Sequence, residues 1–181
     1  MICNKLKECI AQENKGKTEQ TCVNKRERCI KSADRRPQIK CEEHRKKYIL
    51  KNTKGNFVLC YKMDGGIVEV DNSVPAGLNK CDYLYIVFEE KKCINAILTE
   101  LKGVNVGKAL EQLHSTLKLF PDIFKECEHV YARAIVTSAM PNLRARPEYV
   151  NLVKMLKGTY HGNLKVVEKQ LFEADTELEK V

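Results

Sequence analysis

No stretch of this chain approaches the ~20 consecutive apolar residues that a membrane-spanning helix needs. Its first residues, Met1-Ile2-Cys3-Asn4-Lys5-Leu6-Lys7, lack the apolar core of a secretory signal, so the expected setting is the cytosol. No two cysteines are spaced Cys-x-x-Cys, and no Cys/His cluster has the close pairing of a structural zinc site. The nine cysteines (Cys3, Cys9, Cys22, Cys29, Cys41, Cys60, Cys81, Cys93 and Cys127) are odd in number, which argues against a disulfide framework. They read as buried reduced thiols acting as small hydrophobes, with an N-terminal zinc site as the alternative. No serine sits in a nucleophile-elbow setting, and no glycine-rich phosphate loop precedes a lysine. Internal repeats and low-complexity stretches are absent too. A helical membrane protein, a serine hydrolase of that type and a P-loop ATPase are thereby excluded.

What is present is one domain's worth of chain: 181 residues, 43% hydrophobic and 31% charged, a globular composition. The net charge of +8 is unevenly spread. Residues 1–40 hold eleven Lys/Arg against five Asp/Glu, whereas the remainder holds 21 against 19. A concentrated basic segment favours a polyanionic partner, because neutralising phosphates releases condensed counterions; a solvated lysine-rich surface is the plainer account.

Residues 1–39 read as a basic helical appendage and residues 40–181 as an α/β domain. In the first part Ile2, Leu6, Cys9 and Ile10 share a helical face, as do Cys22, Val23, Cys29 and Ile30. These helices are too thinly apolar to stand alone and should pack on the body or on a second subunit. A helix is expected from about Lys40 to Leu50. Strands are expected at Phe57 to Met63 and, after an Asp64-Gly65-Gly66 hairpin turn, at Ile67 to Asp71. The loop Asn72 to Lys80 leads to strands at Cys81 to Phe88 and Ile94 to Lys102. Val106, Leu110, Leu113, Leu117 and Phe120 then repeat at helical spacing. Past Pro121 the expected order is a strand at Val130 to Thr137, a helix from Pro147 to Leu156, a strand at Leu164 to Val167 and an acidic tail.

The chemistry lies in one hairpin. Its turn must fall in Glu89-Glu90-Lys91-Lys92, the only polar interruption, so cross-strand partners have numbers summing to 181 or 182. That sets Asp82 opposite Thr99 or Glu100, about 5 Å away. Period-two alternation sends Glu100 and Lys102 out of one face. Two close carboxylates resist full ionisation unless a cation lies between them. A hard divalent ion such as Mg²⁺ suits carboxylate oxygens, would polarise a phosphoryl oxygen and would activate water. Lys102 would orient that water or offset developing charge. Spacing alone is equally compatible with a strand-end ion pair beside one acidic neighbour.

Asp82-Tyr83-Leu84 on one strand, Glu100-Leu101-Lys102-Gly103 ending the next, and a helix carrying Ala109-Leu110-Glu111-Gln112-Leu113 together resemble the PD-(D/E)xK nuclease superfamily. The resemblance covers about Lys40 to Thr137. It implies a restriction-endonuclease-like core: helix, antiparallel three-stranded meander, helix, strand. It further implies Asp82, Glu100 and the Leu101 carbonyl as ligands of Mg²⁺ or Mn²⁺, Lys102 as catalytic lysine and Gln112 as a residue facing the site. Some branches add a glutamate from the first core helix, here Glu42 or Glu43, with Glu43 preferred. Cys81 stands where many members have proline.

Other polar residues carry less. Asp64 reads as a turn former, and His44, His114, His129 and His161 form no visible pairing. Lys108, Arg133, Arg144 and Arg146 are candidates for phosphate contact, Arg144-Ala145-Arg146 in its Pro-flanked loop foremost. The expected activity is metal-dependent hydrolysis of phosphodiesters by an endonuclease of modest specificity, in defence or repair, on DNA in preference to RNA. A homodimer joined through residues 1–40 would let single sites cut two strands. The alternative is a catalytically inactive nucleic-acid-binding or assembly protein on the same fold.

Overall fold

Val58, Leu59, Cys60 and Tyr61 are all buried, as is every residue from Tyr83 to Phe88. Strands with no wet face must be covered on both sides. In the computed structural model, which describes residues 4–16, 26–68, 77–138 and 140–180, these segments form β4 (Phe57–Lys62) and β5 (Tyr83–Glu89) inside a six-stranded sheet. The spatial order is β1 (Ile30–Asp34), β4, β5, β6 (Lys92–Leu101), β7 (His129–Val136) and β8 (Leu164–Glu168). Neighbours from β1 to β6 are antiparallel; β6, β7 and β8 are parallel. Parallel pairing needs a crossover. Helices α3 (Val106–Leu119) and α4 (Pro121–Phe124) supply the first, and α5 (Pro147–Tyr160) the second.

Alternation sorts the side chains into two cores. Leu59, Tyr61, Leu84, Ile86, Ala96 and Leu98 point to the helical side, where they meet Leu110, Leu113, Leu117, Leu152 and Leu156. Val58, Cys60, Tyr85, Val87 and Ile97 point the other way, onto Ile39, Cys41, Tyr48 and Leu50. The latter belong to a smaller sheet of β2 (Gln38–Glu43), β3 (Lys46–Lys51) and β9 (Gln170–Ala174). The architecture is mixed α/β in three layers: helices, large sheet, small sheet.

Several expectations are corrected. Residues 40–50 are not a helix but the β2–β3 hairpin, turning at His44 and Arg45, both at positive φ (45° and 64°). The charged run Glu42 to Lys47 has good helix formers, but Ile39, Cys41, Tyr48 and Leu50 alternate, and burial against the large sheet overrides propensity. Ile67 and Val68 do not begin a return strand. The chain kinks at Gly65 (φ 68°), Val68 is helical, and β5 is the strand that pairs with β4. The expected strand's remainder, residues 69–71, lies outside the described residues, as do Ile2, Cys22 and Val23. The second expected N-terminal helix is short, α2 (Arg26–Cys29), and Ile30 already opens β1. The last long helix runs past Leu156 and Gly158 to Tyr160, and the acidic tail, for which no element was expected, contains β9.

Packing also runs across the boundary expected at residue 39. β1 is an edge strand of the large sheet. Helix α1 (Asn4–Asn14) seats Leu6 and Cys9 in the helical-side core, and the Tyr61 hydroxyl donates to the Cys9 sulfur at 3.3 Å. The cysteines are not all reduced. Cys93, opening β6, is bonded to Cys127, two residues before β7, with Cα atoms 4.8 Å apart. Parallel pairing of β6 with β7 brings these distant positions together, which no sequence spacing reveals. Cys41, Cys60 and Cys81 are free and buried, and Cys9 and Cys29 are buried too. No helix among the described residues is long and apolar enough to cross a membrane.

Candidate functional site

The β5–β6 register is what assembles the site. Glu89 pairs with Lys92 and Phe88 with Cys93, a sum of 181; past an irregularity at Val87, Tyr83 pairs with Thr99, a sum of 182. Continued by one residue, that register sets Asp82 opposite Glu100. The Asp82 amide donates to Glu100 Oε2 at 3.2 Å, and the Leu101 amide donates to Asp82 Oδ2 at 2.7 Å. Lys102 Nζ stands 3.5 Å from Glu100 Oε1. At that length the contact is an ion pair and not a hydrogen bond, and Glu100 Oε1 has no hydrogen-bond donor.

These carboxyls are dry. Glu100 is 0% exposed and Asp82 8%. Burial, then the neighbouring charge of Asp82, pushes the Glu100 carboxyl up to about 9, against the pull of Lys102. Burial likewise raises Asp82 to about 6; the Leu101 amide and Lys102 oppose it, while Glu43 and Asp64 add to it. Each group binds its proton more tightly folded than unfolded, so ionisation weakens the fold. Without divalent ions, stability should therefore decline as pH rises from about 4.5 toward 9. Glu100→Gln should flatten that decline and raise the urea midpoint at pH 8. An unchanged midpoint would show that Glu100 is solvated and ionised without penalty.

The other expected site residues divide. Glu43, not Glu42, reaches this end of the sheet: its Oε1 accepts from the Tyr83 hydroxyl at 3.1 Å. Glu42 instead meets Lys40 and Lys47 at the surface. Glu43 arrives from a strand, the expected helix being absent. The Leu101 amide points at Asp82, and a strand residue's carbonyl faces the same side as its amide, so that carbonyl is directed at the same gap. Gln112 is buried on α3, but its Nε2 donates to the Lys80 carbonyl at 2.9 Å rather than to either carboxylate. Lys108 is exposed on the first turn of α3. Arg144 lies on a single 3₁₀ turn and Arg146 directly precedes α5, both exposed. Arg146 approaches that first turn of α3: a Cβ at Gly107 would lie 3.9 Å from its Nη1. Arg133 is corrected. It is 0% exposed and bound to Glu173, Asn163 and the Leu178 carbonyl, so no phosphate can reach it.

Sequence reading missed three neighbours. Buried Lys80 holds Asp64 at 3.0 Å, which makes Asp64 more than a turn former. Tyr83 anchors Glu43, and Thr116 of α3 takes the Cys81 amide at 2.8 Å. All three depend on elements far apart in sequence, so only pairing could reveal them.

Among the described residues, no three His, Cys, Asp or Glu side chains are arranged to hold a metal ion. Asp82, Glu100 and the Leu101 carbonyl are the oxygen donors that a hard divalent cation would draw on here. A cavity of about 340 Å³, lined by Ile10, Phe88, Cys93 and Cys127, lies at the other end of β6 and contributes nothing here. Compared with known proteins, the chain matches no family model, no curated protein and no solved structure.

Proposed function

We propose that this protein is a metal-dependent nuclease of the PD-(D/E)xK type, hydrolysing phosphodiester bonds of DNA in preference to RNA. One observation carries the reading: Asp82, Glu100 and Lys102 meet at the end of a buried strand pair, where close carboxyls are unfavourable without a cation. The succession β4, β5, β6, α3, β7, with a meander followed by a parallel strand, supports it. The place of the first core helix is taken by the β2–β3 hairpin, which delivers Glu43 instead.

In this reading Asp82, Glu100 and the Leu101 carbonyl hold Mg²⁺ or Mn²⁺. The ion supplies Lewis acidity toward a phosphoryl oxygen and a bound water of lowered pKa. The residues' own work is positional and electrostatic. The Leu101 amide fixes the orientation of Asp82, and Lys102 pulls Glu100 toward its ionised form, against burial, while presenting an ammonium to the scissile phosphate. Lys108, Arg144 and Arg146 would grip flanking phosphates without reading sequence. That suits an endonuclease of modest specificity in defence or repair. A homodimer would bring two sites to the two strands. The buried free thiols of Cys41, Cys60 and Cys81 suit a cytoplasmic setting, Cys93–Cys127 being the exception among the described residues.

Nicking of supercoiled plasmid with Mg²⁺ or Mn²⁺, abolished by chelator, tests the activity. Purified protein that cleaves neither DNA nor RNA with any divalent ion would leave only a nucleic-acid-binding or assembly role. Binding should also depend steeply on salt. Neutralising Arg144 and Arg146 together should lower the slope of log K against log salt by roughly two, uniformly across sequences. An unchanged slope would return both to the status of ordinary surface charge.

A further inference from the structure

Asp82 lies one residue ahead of β5, outside its ladder, so regular pairing does not hold it in place. Side chains of α3 do that instead. Thr116, fully buried, accepts from the Cys81 amide at 2.8 Å and donates to the Gln112 carbonyl at 2.8 Å. Gln112 Nε2 donates to the Lys80 carbonyl at 2.9 Å. On the other side, the Asp82 carbonyl accepts from the Met63 amide at 2.8 Å. Residues 80–82 are thus pinned between α3 and the end of β4, and the Asp82 carboxylate is delivered to the Leu101 amide.

Helix formation does not explain this threonine. A hydroxyl inside a helix competes with the ladder, and its neighbours Leu113 and Leu117 on α3 belong to the apolar core. The hydroxyl is explained by its second partner, the Cys81 amide. We infer that Thr116, assisted by Gln112, is a positioning residue: it ties α3 to the segment bearing Asp82 and so sets the separation of Asp82 from Glu100. This rests on the nuclease reading for its functional meaning, but the clamp itself is independent of it. It also changes the part given to Gln112, which acts through the Lys80 backbone and not on substrate.

Thr116→Val keeps shape and removes the hydroxyl. It should weaken Mn²⁺ binding, followed by electron paramagnetic resonance, on the order of ten-fold, as losses of groups that orient metal ligands do. In the metal-free protein the amides of Cys81 and Leu101 should lose hydrogen-exchange protection while β7 keeps its own. Thr116→Ser should restore both readouts. A folded Thr116→Val protein with wild-type Mn²⁺ affinity and a fully protected Leu101 amide overturns the inference. If that variant does not fold, Gln112→Met decides by the same two measurements. If wild type binds no Mn²⁺, the nuclease reading falls, and the Leu101 amide alone judges the clamp.

Discussion

Lys102→Ala should slow plasmid nicking by roughly 10²–10⁴-fold, the usual contribution of one positioned acid–base or charge-stabilising group. The loss should appear in a single-turnover rate at saturating Mg²⁺, with the circular dichroism spectrum unchanged. Folding should survive because Lys102 is partly exposed and Glu100, which burial pushes up to about 9, leaves no bare buried charge behind. Without the ammonium Glu100 holds its proton still more tightly against an incoming cation, so the substitution acts twice. Lys102→Arg keeps the charge but not the compact ammonium, and should recover only part of the rate. A Lys102→Ala protein that cuts as fast as wild type would show that these three residues are not the site, even though an activity exists.

Glu173→Ala should lower stability by about 3–5 kcal/mol, the range for breaking a buried ion pair from one side. For a domain of this size that is roughly a 10 °C fall in melting temperature. Glu173 Oε1 takes the Tyr48 hydroxyl and Arg133 Nε, while Oε2 takes Lys165 Nζ at 2.9 Å. Arg133 is fully buried and cannot shed its proton, so without Glu173 its charge is left with neutral partners only: the Asn163 side chain and the carbonyls of Ala132, Asn163 and Leu178. Replacing both, as Arg133→Met with Glu173→Leu, should cost less than the single change, because the fully buried charge is gone and Lys165, which is partly exposed, can turn to water. Urea unfolding of the three proteins measures this. A loss below about 1 kcal/mol for Glu173→Ala would mean that water reaches the pair.

The same network explains why no strand was legible in the acidic tail. Its strand β9 is half-polar by sequence and carries Glu173, yet it pairs parallel to β3, with Glu173 bound to Arg133 and Lys165. The N-terminal segment, read as a basic appendage whose helices should pack on the body or on a second subunit, packs on the body: Leu6, Cys9 and Ile30 bury in the main core, so removing residues 1–36 would remove an edge strand along with the lysines. Charge-neutralising substitutions, and not truncation, are the sound test of its role in binding.

By itself the sequence determined the β5–β6 hairpin, the α3 helix after it, and the approach of Asp82, Glu100 and Lys102. Those follow from local arithmetic: a short polar turn fixes which residues face each other, and period-two alternation fixes the face. Tertiary structure alone decided whether 40–50 was helix or hairpin, because burial of Ile39, Cys41, Tyr48 and Leu50 outweighs the propensity of the charged residues between them. It alone decided that Glu43 comes to the site on Tyr83, that Arg133 is structural, and that Cys93 meets Cys127. It also decided the burial of the carboxyl pair. A helix on one face and a second sheet on the other exclude water from Glu100, and that exclusion is why its carboxyl holds a proton up to about 9.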